Sequence, residues 1–165
     1  MTNKIELLHP LVAKSLQELK VCYEAIECNA ALADTAAFLE HYKFAPEETA
    51  NCIIVAAKSD PITFVCCVIP SNTKLDVNKK VAQLVGIKRC SFASGEQTMT
   101  LTEMEIGGVT PFGLPAMPIY MDKALWQQKR IVLGGGNRSS KLLVAPAEFH
   151  KLPGMESIEG LSLAR

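Results

Sequence analysis

Two apolar runs in the first half of the chain limit its fold more than any other feature. Cys52-Ile53-Ile54-Val55-Ala56-Ala57 is unbroken, as expected of a strand buried on both faces. Ile62 to Ile69 is a second such run, and the intervening Ser59-Asp60-Pro61 has turn chemistry. The pair reads as a hairpin. Around it, strand and helix patterns alternate irregularly. That favours an α/β chain of the α+β type, with a mixed sheet flanked by helices, over a purely parallel doubly wound sheet.

The other elements follow from periodicity and capping. Pro10 to Lys20 reads as a helix, with Leu11, Val12, Ser15, Leu16 and Leu19 near 3.6 spacing. Val21 to Cys28 reads as a strand. Ala30 to Tyr42 is alanine-rich and helical, with Asp34 either starting its main turn or lying on its polar face. Pro46-Glu47-Glu48 resembles a first helical turn. Asp76 is placed to cap a helix over Val77–Val85 that Gly86 ends. After a short strand over Ile87–Phe92, Ser94-Gly95-Glu96-Gln97 matches a capping box for a helix towards Met104. Strands are expected at Pro118–Met121, Arg130–Leu133 and Leu142–Ala145. Asp122 is expected to cap a short turn to Trp126, and Pro146 to start a last helix to Leu152. The tail from Pro153 to Arg165 has weak patterning.

The 165 residues fit one domain over 1–165, long enough for a sizeable core. With 17 basic and 17 acidic residues the net charge is zero. That argues against coating nucleic acid by bulk charge but permits a local basic patch. Met1 to Pro10 carries no long apolar leader core, and no run approaches the ~18 apolar residues of a membrane span. The six cysteines form no C-x-x-C pair, which argues against a zinc site. Reduced thiols in a cytoplasmic protein are the expectation. Cys66 and Cys67 must point to opposite faces of one strand, with the core the expected place for both. His9, His41 and His150 show no metal spacing.

Two glycine-rich loops stand out. Gly107-Gly108-Val109-Thr110-Pro111-Phe112-Gly113-Leu114-Pro115 can be neither helix interior nor central strand. Free backbone N–H groups in such a loop suit a carbonyl or an oxyanion; the simpler reading is a tight turn. Gly134-Gly135-Gly136-Asn137-Arg138 follows a strand but matches no nucleotide-binding signature.

The ordered set Ile53-Ile54-Val55, Val68-Ile69-Pro70, Lys74-Leu75-Asp76-Val77, Gly107-Gly108-Val109-Thr110-Pro111 and Gly134-Gly135-Gly136 resembles the YbaK and prolyl-tRNA-synthetase-associated editing domain family. The resemblance runs from about residue 30 to 152. It implies a mixed, partly barrel-like sheet and hydrolysis of the ester between a wrong amino acid and the tRNA 3′ end. It further implies a free-standing protein that acts in trans, needs no metal or cofactor, and has aminoacyl-tRNA and an aminoacyl-tRNA synthetase as partners. The Gly107–Pro111 backbone would hold the aminoacyl carbonyl, with help in the attack from the terminal ribose hydroxyls. By this reading Gly107, Gly108, Val109, Thr110, Pro111 and Asn51 form the reaction site. Lys74, Lys79, Gly135, Gly136 and Arg138 would contact the substrate or tRNA, with Lys80, Lys88, Arg89, Lys129, Arg130 and Lys141 as further basic neighbours.

Two positions depart from the family. Asn51 stands where a lysine is usual, and an amide carries no charge. Lys58, seven residues on, falls at the far end of the strand. An aspartate that some members carry after the second glycine loop is absent, with Lys141 near its place. Three readings stay open: a deacylase, a silent module that binds aminoacyl-tRNA or a synthetase, and an esterase acting on another acyl ester.

Overall fold

The hairpin forms, and the rest of the sheet grows from it. The computed structural model describes residues 4–165. In chain order its elements are α1 (Pro10–Glu18), β1 (Glu24–Glu27), α2 (Thr35–Tyr42), β2 (Ala50–Ala57), β3 (Thr63–Pro70), β4 (Thr73–Leu75), α3 (Ala82–Val85), β5 (Cys90–Phe92) and α4 (Gly95–Thr102). They continue with β6 (Ile119–Asp122), β7 (Ile131–Gly134), β8 (Ser140–Val144), β9 (Met155–Ile158) and β10 (Ser162–Ala164).

Strands β2 and β3 pair antiparallel from Ala50 opposite Pro70 to Ala57 opposite Thr63. They centre a five-stranded sheet in the order β5-β2-β3-β6-β9. Its β5 and β2–β3 pairings are antiparallel, while β6 and β9 join in parallel, so the sheet is mixed. A second, antiparallel sheet runs β1-β8-β7. One parallel bridge, Thr49 with Val132, links β2's start to β7. That is as far as barrel character goes, and no closed barrel forms among the described residues.

Both faces of the hairpin are buried, which explains its unbroken apolar runs. Ile54, Cys66, Val68, Ile119 and Met121 face one core, shared with Val12 and Leu16 of α1, Phe112, Phe149 and the inner residues of β7 and β8. Val55, Val65, Cys67, Ile69 and Tyr120 face the other, covered by Val77, Val81 and Leu161. A third cluster of Cys28, Ala33, Phe38 and Val132 seats α2 on the outer face of the small sheet. There Phe38 stacks on Tyr42 and Phe44, with ring centroids 4.9 and 5.5 Å apart. No helix of the described residues is long and apolar enough to cross a membrane.

Local signals set most boundaries. The Ser94–Gln97 capping box starts α4 with reciprocal bonds of 2.9 and 3.0 Å. Asp122 accepts from the N–H of Ala124 at 2.9 Å and starts the turn over Lys123–Gln127.

Four expectations need correction. The strand expected over Val21–Cys28 is paired only across Glu24–Glu27, because only those residues find a partner in β8. The helix expected over Ala30–Tyr42 breaks into a tight turn at Ala30–Leu32 and α2. The break lies at Asp34, whose backbone is extended (φ −68°, ψ 141°) between the turn and α2. The Val77–Val85 helix begins with a wide turn closed by the Val81 N–H on Asp76 O at 3.1 Å. The weakly patterned tail supplies two strands. β9 pairs with β6, and β10 pairs with β4. Those short strands are stabilised by partners distant in sequence, which local patterning does not register.

Asp122 ties that tail down. It is 5 % exposed, and its second oxygen accepts from both the N–H (3.1 Å) and the hydroxyl of Ser162. Asp122→Ala leaves these donors unmatched, so a loss of about 3 kcal/mol is expected. Denaturant unfolding checks this, with hydrogen exchange rising first in β10.

Candidate active site

The two glycine loops form one unit. The N–H of Gly136 donates to Gly108 O at 2.7 Å, and that of Glu105 donates to Gly136 O at 3.0 Å. A Cβ on Gly108 would strike the backbone of Asn137, and one on Gly134 would strike the carbonyl of Gly108. The glycines therefore let two backbones approach where no side chain would fit. Asn137 braces the far side, donating to Leu7 O at 3.0 Å and accepting from the Ser140 hydroxyl at 2.7 Å.

Beside this unit lies a cavity of about 290 Å³, near the lower limit for small-molecule sites. Asn51 and Cys52 of β2 line it, as do Gly107, Val109 and Gly134 of the loops, Asp34, Thr35 and Phe38 of the α2 region, and Lys141 of β8. Phe92 and Ile106, 59 % and 45 % exposed, stand in the same lining.

Asn51 thus lines the same cavity as Gly107 and Val109, while Gly108, Thr110 and Pro111 are not in the lining. The Thr35 hydroxyl donates to Asn51 Oδ1 at 2.9 Å. That fixes the amide and leaves its NH₂ group as a donor. The Gly108 N–H is engaged by Glu105 O at 2.9 Å. The N–H groups of Gly107 and Val109 meet no acceptor among the described residues. Thr110 and Pro111 are buried behind the lining, and the Thr110 hydroxyl has no partner among the described residues.

The candidate tRNA-binding residues are placed unequally. Gly135 and Gly136 pack under the loop, where Gly135 O accepts from the His9 N–H at 3.0 Å. Arg138 fastens the rim: one guanidinium nitrogen donates to Asp34 and to Ile106 O, both at 3.1 Å, and the other to Ala30 O at 3.0 Å. Lys74 lies exposed on β4 and Lys79 exposed in the Val77–Val81 turn, neither of them in the cavity lining. Lys58 is exposed at the opposite end of β2. Arg130 pairs with Glu48 at 3.5 Å and covers the Phe44 ring.

Lys141 is the residue whose place the linear order conceals. Strand alternation points Leu142 and Val144 into the main core and Leu143 towards α2, so Lys141 shares the α2 side with Leu143. Its ammonium lies 5.0 Å from the Phe38 ring centroid and donates to Ala33 O at 3.2 Å. Burial holds its pKa below the usual lysine value, with Arg138 adding to the effect and Cys28 and Asp34 opposing it. Burial pushes the nearby Cys28 thiol up. A lysine between the buried Ser140 and Leu142 was the available signal.

Cys52 reaches the cavity, with its sulfur 3.2 Å from that of Cys66. Cys66 and Cys67 lie in the two cores on opposite faces of β3. Hydrogen bonding to Cys52 and burial raise the Cys66 thiol's pKa, and burial raises that of Cys67. Among the described residues no three His, Cys, Asp or Glu side chains gather as a metal site.

Comparisons with known proteins bear on this arrangement. The uncharacterized protein YwhH of Bacillus subtilis (strain 168) is 35 % identical over 83 residues, covering 50 % of this chain and 52 % of that protein. The chain therefore matches about half the length of that curated relative. The solved structure of hypothetical protein APE2540 superposes with a TM-score of 0.82 at 21 % identity, covering 93 % of this chain and 99 % of that one. A structure described as that of a proposed trans-editing enzyme for prolyl tRNA synthetase gives 0.76 at 19 % identity, covering 92 % and 97 %. At these identities the structural likenesses speak for the fold alone. The model of the aminoacyl-tRNA editing domain matches residues 29–152, which include every residue named above as lining the cavity, and the chain belongs to that family.

Proposed function

We propose that the chain, working as one domain, removes mischarged amino acids from tRNA in trans by hydrolysing the aminoacyl ester. The observation that carries this reading is the meeting of the Asn51 amide with the Gly107 and Val109 backbone in one small cavity of an editing-family chain. The carbonyl oxygen would sit against the free N–H groups of Gly107 and Val109, which strengthen their hold as it becomes an oxyanion. Water attacks the carbonyl carbon, the bond from carbon to ribose oxygen breaks, and that oxygen leaves as a hydroxyl carrying one proton of the water. The amino acid departs as a carboxylate, with the water's other proton released to solvent. Asn51, its amide set by Thr35, would donate to the ribose or to the ester oxygen. The titratable side chains named in the lining are Asp34, Cys52 and Lys141. No histidine is among them, so a substrate hydroxyl is the natural aid to the water. The six unpaired thiols suit a reducing cytoplasm.

Asn51 itself favours a second reading. Without the charge of the usual lysine, the same cavity would bind aminoacyl-tRNA, or a synthetase carrying it, and not cleave.

Release of amino acid from alanyl-, cysteinyl-, seryl-, threonyl-, aspartyl- and glutamyl-tRNA separates the two readings. Hydrolysis of one species is expected, with Asn51→Ala about ten-fold slower, the worth of one hydrogen bond. Binding of charged tRNA without release assigns the chain to the silent module.

Gly108→Ala should force the loop off Asn137 and cost at least ~100-fold, comparable to losing an oxyanion donor. Thermal melting run alongside distinguishes a displaced loop from an unfolded chain. Full activity in a folded Gly108→Ala protein would remove the loop from the mechanism.

A further inference from the structure

Ester hydrolysis by the loop and Asn51 leaves Lys141 without a role, although its placement is costly. It is 8 % exposed. Its ammonium has three donors, and one acceptor, Ala33 O, is met at 3.2 Å. Among the described residues it makes no ion pair. A buried cation without a counter-ion costs several kcal/mol, which an apolar side chain of equal length on Phe38 would avoid.

Three donors without a protein acceptor belong to residues that line the cavity: the Asn51 amide and the N–H groups of Gly107 and Val109. The start of α2, also in the lining, lacks a side-chain cap, and a helix start favours negative charge. Asp34, the carboxylate in the lining, is drawn to Arg138 at 3.1 Å. With that pair cancelled, Lys141 is the uncompensated charge of the cavity.

We propose that Lys141 makes the cavity an anion site, holding a negatively charged oxygen of the bound ligand. The identity of that ligand rests on the aminoacyl-tRNA reading, which offers two sources: a side-chain carboxylate on the acyl group, aspartyl or glutamyl, and a phosphodiester of the acceptor end. The depth of Lys141 favours the carboxylate, because a phosphodiester chain would have to enter a space of about 290 Å³.

Thermal shift tests the anion site without tRNA. Wild type, Lys141→Met and Lys141→Arg are melted in succinate and in inorganic phosphate against chloride at matched ionic strength. In chloride, Lys141→Met should melt a few degrees higher than wild type, since a buried charge is gone. The rise with succinate or phosphate should appear in wild type, persist in part in Lys141→Arg and vanish in Lys141→Met. No rise in wild type, or an equal rise in Lys141→Met, overturns the proposal.

Non-hydrolysable 3′-aminoacylamino-3′-deoxyadenosines then identify the source. The aspartyl compound is expected to bind wild type about ten-fold tighter than the alanyl one, as for a charge-assisted hydrogen bond, and to lose that margin in Lys141→Met. A lysine-dependent gain from a 5′-phosphate instead assigns the oxygen to phosphate and also supports the anion site. Equal binding of every analogue by wild type and Lys141→Met overturns the site while sparing the aminoacyl-tRNA reading. A lysine-dependent response to small anions with no analogue bound does the reverse.

Discussion

The contact between Gly136 and Gly108, N–H to carbonyl at 2.7 Å, is the constraint on which the site depends. It locks two loops separated by a strand, a turn and a further strand into one surface. Side chains would keep such backbones apart, and glycine at 108 and 134 removes the obstacle. With the carbonyl of Gly108 and its N–H both used internally, the orientation of the intervening peptides is set. Among the residues lining the cavity, the loop donors left over belong to Gly107 and Val109. A loop held this way is organised before any ligand arrives, which is what makes backbone donors effective against developing charge.

The sheet supplies the opposite wall. β2 is fixed along its whole length by β3, so Asn51 at its start cannot drift. The Thr49–Val132 bridge then brings that start to the small sheet, whose β8 carries Lys141. One strand, β8, sends Leu142 and Val144 into the main core and Lys141 to the cavity. The same alternation that builds the core therefore places the charge.

Much of this was legible in the sequence. The hairpin, the capping box at Ser94, the cap at Asp122 and the αL stop at Gly86 are local signals, and each appears where its residues stand. Asn51 lines one cavity with Gly107 and Val109 of the glycine-proline loop, a juxtaposition of segments far apart in the sequence. What escaped depended on distant partners. β9 and β10 are short and irregular in pattern, and they exist because β6 and β4 offer edges to them. Lys141 looked like one of several basic residues near a glycine loop, because its burial under Phe38 follows from how α2 crosses the small sheet. The reverse holds for Arg138, whose basic character suggested a phosphate but whose hydrogen bonds run to Asp34, Ile106 and Ala30.

In that last arrangement one guanidinium is bonded to the carbonyl before Gly107 and to both the carbonyl and the carboxylate that precede α2. The two segments beside the cavity are thereby bridged by one side chain. Parting them means giving up all three bonds, so a single side chain couples the position of the glycine loop to that of the segment entering α2.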